Sequence, residues 1–518
     1  MPRTLAFARL ADCARRALAT RPSETREPPR KRTWLPTRRE WLLASGAALG
    51  SACVPGATRR PQTTRDDSSR IAVIGAGLAG LVCAYRLAQR GVRTTVFEAS
   101  TRIGGRTYTA RGALAQNQLA ELGGEFIDSE HTTMRGLAAE LELTLDDLTN
   151  EPTGTATELR FLGGRFVSDA EIVAAFRPLA ERMQLDLAAA DKDKEAFARL
   201  DALSIEAYLN GVPELEPTLR TLITLAYVGE YGRDASEQSA FNLLWLIDSK
   251  TPDPFRAFGD SDERFHVREG NDAIATRLAR RLEGSVELER KLVRIRELAN
   301  GSLALTLERD GKALEKVFDK VVLALPWTLL RDVDLDVELS TEKRQMIQRL
   351  GYGTNAKIIA QFDKRVWRTE HASNGSCLSD ALAGEVWEAS RGQPGDAGVL
   401  TVFLGGHAGA SAGADSPEVR VRKLLPVLEQ IFPGTAVSYR GDSALRMHWP
   451  SAEYFRGSYS CYLPGQAAWS GREGQAQRNL HFCGEHTSED FQGYMEGAAE
   501  SGERVARELL ERLRRAHT

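Results

Sequence analysis

Arg70-Ile71-Ala72-Val73-Ile74-Gly75-Ala76-Gly77-Leu78-Ala79-Gly80 is the stretch that decides the fold. A short β-branched run meets a glycine-rich turn, and an Ala/Leu-rich segment runs on to about Arg90, so the reading is strand, tight turn, helix. Gly75 permits the turn, Gly77 lets the backbone approach a pyrophosphate, and Gly80 lets the helix pack on the strand. The first N–H groups and the dipole of that helix then face the phosphates. A second strand, Val92 to Phe97, ends in Glu98, about 20 residues past the glycines, where a carboxylate can accept from both ribose hydroxyls. Together these features predict a dinucleotide site on a Rossmann-like α/β domain.

Beyond that acid, Arg102-Ile103-Gly104-Gly105-Arg106-Thr107 brings a second glycine pair and two cations back toward the phosphates. The element resembles one carried by FAD flavoproteins and generally absent from simple nicotinamide dehydrogenases, so FAD is the expected cofactor. At 518 residues the chain exceeds one compact core, and two or three domains are expected. A formal net charge of −3 gives no electrostatic case for nucleic acid. Six cysteines without a CxxC pair and eight histidines without HExxH spacing predict neither a metal site nor a disulfide framework.

Residues 1–67 differ in kind. An Arg/Pro/Thr-rich start leads to Thr37-Arg38-Arg39-Glu40-Trp41-Leu42-Leu43 and a weakly apolar run ending at Ser51-Ala52-Cys53. The pattern resembles a twin-arginine export signal, and its apolar run is too short for a transmembrane helix. It implies the twin-arginine machinery as a partner and a periplasmic or extracellular location. A disordered basic arm is the competing reading, and a lipid anchor at Cys53 stays open. No transmembrane helix is expected in the mature protein.

The rest reads as a discontinuous cofactor domain, 68–145, 264–346 and 450–515, with a second α+β substrate domain from 146–263 and 347–449. The first insertion carries apolar residues at helical steps, as in Ile172, Ala175, Phe176 and Leu179. Val317 to Leu325 reads as one buried parallel strand. Gly351 to Phe362 and Gly398 to Leu404 read as strands of a second sheet. Asn479 to Phe482 is a strand ending near Gly484 and Glu485, and an amphipathic helix begins around Met495.

With GAGLAG at Gly75, RIGGRTYT at Arg102, a strand bearing Lys357, RGSYSCYLPG from Arg456 to Gly465, and the run from Cys483 to Ala506, the chain resembles the flavin amine oxidases. That family comprises monoamine, polyamine and L-amino-acid oxidases. The resemblance implies cofactor contacts at Gly75, Gly77, Gly80, Glu98, Arg106, Gly123, Gly124, Val293, Gly484, Glu485 and Met495. It implies that Tyr459 and Tyr494 form an aromatic slot for an amine nitrogen, and that Lys357 holds a water near the flavin and serves reaction with O2. Ser458 stands where monoamine oxidases carry the flavin-bonding cysteine, which implies non-covalent FAD. A homodimer is compatible with the family.

The implied reaction is oxidative deamination of an L-amino acid or primary amine through an imine, with O2 giving H2O2. A monoamine or polyamine oxidase is close behind, and a flavin dehydrogenase or desaturase using another acceptor is the alternative. Asp128 aligns with an acidic channel position of polyamine oxidases, where it would meet a distal cation; a helix-capping role is equally open. Trp449 and Trp245 are candidate pocket walls or core residues. An amino-acid substrate would need an arginine for its carboxylate; with Arg106 committed to the cofactor phosphate, Arg268 or Arg456 could serve only if the fold aims them inward.

Overall fold

Three stretches far apart in sequence build one five-stranded parallel sheet. In the computed structural model, which describes residues 70–516, Ile71–Ile74 lies at its centre between Lys320–Leu323 and Thr94–Phe97. Leu480–Phe482 and Val286–Glu287 form its edges. The twin-arginine motif and Cys53 lie outside the described residues.

All four residues of Ile71–Ile74 are buried, as a parallel strand covered on both faces requires. Ile71 and Val73 pack on helices Leu78–Ala88 and Met495–Ala516, and Ala72 and Ile74 face a four-stranded sheet through Ile295, Leu305 and Leu307. That sheet runs in the order Lys312–Phe318, Leu303–Arg309, Lys291–Glu297, Asp334–Asp336.

The apolar run Val317 to Leu325 is two strands and not one. Lys312–Phe318 is antiparallel to Leu303–Arg309, whereas Lys320–Leu323 is parallel to Ile71–Ile74. The break is Asp319, whose carboxylate accepts from Arg70 N at 2.8 Å while its own N–H donates to Arg70 O. The run is continuous in hydropathy because Phe318 at the end of one strand and Val321 and Leu323 of the other pack in the same core.

The second sheet has seven strands in the order Leu445–His448, Ala356–Phe362, Gly398–Leu404, Gly384–Glu388, Cys377–Ser379, Leu159–Leu162, Arg165–Phe166. All seven residues of Ala356–Phe362 are buried. The expected single strand from Gly351 is interrupted, because Gly351–Tyr352 pairs with Ser460–Cys461 instead. The helical insertion also supplies the last two strands at one side of this sheet, Leu159–Leu162 and the edge strand Arg165–Phe166, too short to show a period beside the 24-residue helix Asp169–Lys192.

Within the insertion, helix Pro217–Tyr231 carries proline in its first turn, and the Glu216 carboxylate caps it by accepting from Leu219 N at 2.7 Å. Its last turn brings Gly229, Glu230 and Tyr231 to the cavity at the carboxyl ends of the parallel strands, where Gly75, Glu98, Ala324 and Gly484 also lie. Among the described residues no helix is long and apolar enough to cross a membrane.

Candidate active site

The nucleotide end of the cavity is shaped by close backbone approach. Gly75 has φ +107°, and a Cβ there would lie 2.5 Å from Ala324 O. A Cβ on Gly80 would lie 2.0 Å from Gly75 O, so this glycine holds helix to strand from behind the cavity that the others line. Gly77 bridges to Gly104, which places the second glycine pair against the first turn. Glu98 accepts from Ala76 N at 2.8 Å and Ser100 N at 2.9 Å, and these bonds hold its carboxylate at the strand end. This is a cradle that a dinucleotide fits, with the first turn of an 11-residue helix facing it.

Gly123, Gly124, Val293, Gly484, Glu485 and Met495 line the same cavity. Arg106 donates to Ser458 O and to Glu485 Oε1 at 3.0 Å. Glu485 also accepts from Ser460 Oγ and Gly493 N, and Arg106 is among the charges that hold its carboxyl below the usual range against the effect of burial. Ser458 is buried and bonded through its hydroxyl to Asn355, and among the described residues no cysteine lines the cavity.

Tyr459 and Tyr494 converge at the other end. A Cβ on Gly493 would lie 3.7 Å from the Tyr459 ring, so the ring sits beside the residue preceding Tyr494. Both hydroxyls are tied to one helix end: Tyr459 donates to Gly229 O at 3.2 Å and Tyr494 to Glu230 Oε1 at 2.6 Å. Burial pushes both phenols well above their ordinary range, so they remain neutral donors.

Lys357, Phe403 and Glu385 form one row across three neighbouring strands and face this end. Lys357 is buried, and its ammonium donates to Glu121 O, Gly123 O and Glu125 Oε2. Three protein acceptors thus lie within hydrogen-bond distance of an ammonium that has three donors.

Asp128 reaches the cavity wall, but its oxygens accept from Ser261 Oγ and Glu263 N, both at 2.8 Å. It is 1% exposed, so it holds the 261–263 loop in place. Its neighbour His131 accepts from Asp128 N, and burial pushes this imidazole down to about 2.

That loop delivers Glu263 to the cavity, where Glu230 and Glu385 also lie. Burial, then repulsion from Glu230 and Glu158, pushes the Glu385 carboxyl up to about 8. Burial, then Glu385, Asp128 and Glu230, raises Glu263 well above the carboxylate range. Sequence reasoning missed all three acids. Only the i, i+2 placement of Glu385 and Trp387 in Gly384–Glu388, which puts both on one sheet face, signals any of them.

Trp449 lines the cavity and meets Phe455 edge-on at 5.1 Å, whereas Trp245 packs on Phe241 in the core. Arg268 is 63% exposed and paired with Asp146, away from the site. Arg456 reaches the cavity but pairs with Asp332, and the other lining arginines, Arg106 and Arg290, pair with Glu485 and Glu287. Among the described residues no group of three or more His, Cys, Asp or Glu is arranged to hold a metal.

The glycine cradle and the tyrosine-lined end define a flavin amine oxidoreductase, and the profile of that family, described as flavin-containing amine oxidoreductase, matches residues 78–510. The chain belongs to this family. It is 25% identical to flavin-containing amine oxidase A of Canis lupus familiaris over 464 residues, 86% of this chain and 85% of that one. It is 25% identical to flavin-containing amine oxidase B of Homo sapiens over 474 residues, 85% of this chain and 86% of that one. The same fold is found in cyclohexylamine oxidase from Brevibacterium oxydans IH-35A, with TM-score 0.74, 22% identity, and 86% and 100% of the two chains covered. Putrescine oxidase bound to putrescine matches with TM-score 0.72, 21% identity, and 86% and 99% covered.

Proposed function

We propose that this chain is an FAD-dependent oxidase of amines that carry a second positive charge, such as diamines and polyamines. The observation that carries this reading is the set of carboxyl groups, Glu230, Glu263 and Glu385, at the tyrosine end of the cavity. An ammonium entering there relieves their mutual repulsion. An α-carboxylate would meet carboxyl groups that burial holds protonated and would gain no opposite charge from them, whereas an ammonium lets them ionise against it. The lining arginines are engaged elsewhere, which turns the reading away from L-amino acids.

The flavin, held without a covalent bond, supplies hydride acceptance at N5, and O2 takes up the electrons. The amine becomes an imine that water hydrolyses to ammonia and a carbonyl product, and O2 leaves as H2O2. The residues do the rest. The Tyr459 and Tyr494 rings, which both line the cavity, admit an uncharged nitrogen, since a protonated one has no lone pair to assist hydride departure. Removing that proton from an amine of pKa near 10.4 at pH 7.4 costs roughly 4 kcal/mol, which an aromatic wall lowers by disfavouring the cation. Lys357 provides a fixed positive charge for reaction with O2.

Peroxide release should be measured with putrescine, cadaverine and spermidine, with butylamine and pentylamine, and with the L-amino acids. We expect kcat/KM for the diamines to exceed that of the monoamines of equal chain length by at least tenfold. Equal values would refute the second-charge reading, and activity with an artificial acceptor under nitrogen but no peroxide in air would refute the oxidase. Lys357→Met should slow flavin reoxidation by O2 at least tenfold in stopped flow while anaerobic reduction by substrate persists; normal reoxidation would remove the residue from this role.

We also propose that residues 1–67 direct export by the twin-arginine route, on the strength of Arg38 and Arg39 before the Trp41–Ala52 run. Arg38→Lys with Arg39→Lys should leave the protein in the cytoplasmic fraction. Undiminished export of that variant would refute the route.

A further inference from the structure

Glu125 bridges two side chains of the seven-stranded sheet, Lys357 and Trp387. Its Oε2 accepts from the Lys357 ammonium at 2.6 Å and its Oε1 from Trp387 Nε1 at 3.0 Å. The Trp387 ring centroid is 5.3 Å from the same ammonium, and the two charged side chains are 6% and 7% exposed. The remaining lysine donors go to the carbonyls of Glu121 and Gly123, at 3.0 and 2.9 Å. One carboxylate thus binds a lysine from Ala356–Phe362 and an indole from Gly384–Glu388 to the loop that carries the cofactor-side glycine pair.

Three acceptors around one nitrogen suit an ammonium with three donors. Glu125 is the only anion among them. The neighbouring acids are otherwise occupied or set further along the row: the Glu121 carboxylate accepts from Thr109, Asn271 N and His266 Nε2, and Glu385 lies across Phe403. Without Glu125 the buried cation keeps two neutral acceptors and loses the group that compensates its charge.

We infer that Glu125 is a positioning residue for oxygen reduction, fixing the Lys357 ammonium against the Gly123–Gly124 loop so that it acts as a stationary charge. This rests on the reading of Lys357 given above. In that step O2 gains two electrons from the reduced flavin and two protons, one carried by the reduced flavin and one from solvent, and leaves as H2O2. Negative charge develops on oxygen as the electrons arrive, and a cation already held in place stabilises it without reorganisation.

The test uses the holoprotein with Glu125→Gln, Glu125→Asp, Lys357→Met and the Glu125→Gln/Lys357→Met double variant. Stopped-flow traces should show Glu125→Gln lowering the reoxidation rate constant at least tenfold more than that of anaerobic reduction, with partial recovery in Glu125→Asp. Melting of the same proteins gives a readout apart from turnover. Each single variant that strands one charge should lower Tm, and the double variant should melt above both, because removing both charges leaves none uncompensated. If Lys357→Met slows reoxidation but Glu125→Gln does not, this inference falls and the Lys357 reading stands. If Lys357→Met reoxidises normally, that reading falls first and takes the inference with it. Additive losses of Tm would show that the two groups are not coupled and would also overturn the inference.

Discussion

Glu263→Gln combined with Glu385→Gln is expected to lower kcat/KM for a diamine on the order of 100-fold, about 2.7 kcal/mol, while a monoamine of equal chain length keeps or gains activity. The two carboxyls reach the cavity from a loop and a strand, and each is raised by burial and by the other acids near it. A second ammonium on the substrate lets them ionise. Glutamine preserves shape and removes that response, so an equal loss for both amines would sink the assignment.

The same acids carry a stability signature. Glu385 is raised from 4.5 to about 8, so the folded chain keeps its proton where the unfolded chain has lost it. Its contribution is fully present below pH about 4.5 and is lost as pH rises toward about 8. The Tm of Glu385→Gln should therefore gain on the parent protein as pH rises from 5 to 8. A constant difference over that range would contradict the assigned environment.

Gly75→Val is expected to yield protein that purifies with less than about a tenth of the parent's bound flavin. The position combines φ +107° with Ala324 O only 2.5 Å from any Cβ, so a branched side chain must displace either the turn or the neighbouring strand end. Gly91→Ala is the matched control. It has φ +77° but nothing within 4 Å of an added Cβ, so it should lose about 1 kcal/mol of stability and stay yellow. The ratio of flavin absorbance to protein absorbance reads the difference, and full flavin content in Gly75→Val would remove the glycine turn from the cofactor site.

The local parts of this protein are legible in its sequence. Strand, turn and helix from Arg70 to Arg90 depend on φ angles and packing distances that a few neighbouring residues set, so Gly75, Gly77, Gly80 and Glu98 can be assigned from their spacing. Tyr459, Tyr494 and Lys357 are legible only through resemblance, since a tyrosine or lysine in a strand or helix start has no local mark of function. Val317 to Leu325 misleads because hydropathy reports burial and is blind to which sheet a strand joins.

By itself, then, the chain's order of residues determined the nucleotide-binding architecture, because glycine's missing Cβ and a strand's β-branched run act over a few residues. Only the tertiary structure decided the character of the cavity's tyrosine-lined end. Glu230 meets Tyr494 across 264 positions, Glu125 meets Lys357 across 232, and Asp128 acts through a loop 133 to 135 residues away. What a carboxylate does depends on what folding places opposite it, because electrostatic energy follows distance in space and the local dielectric and not separation along the chain.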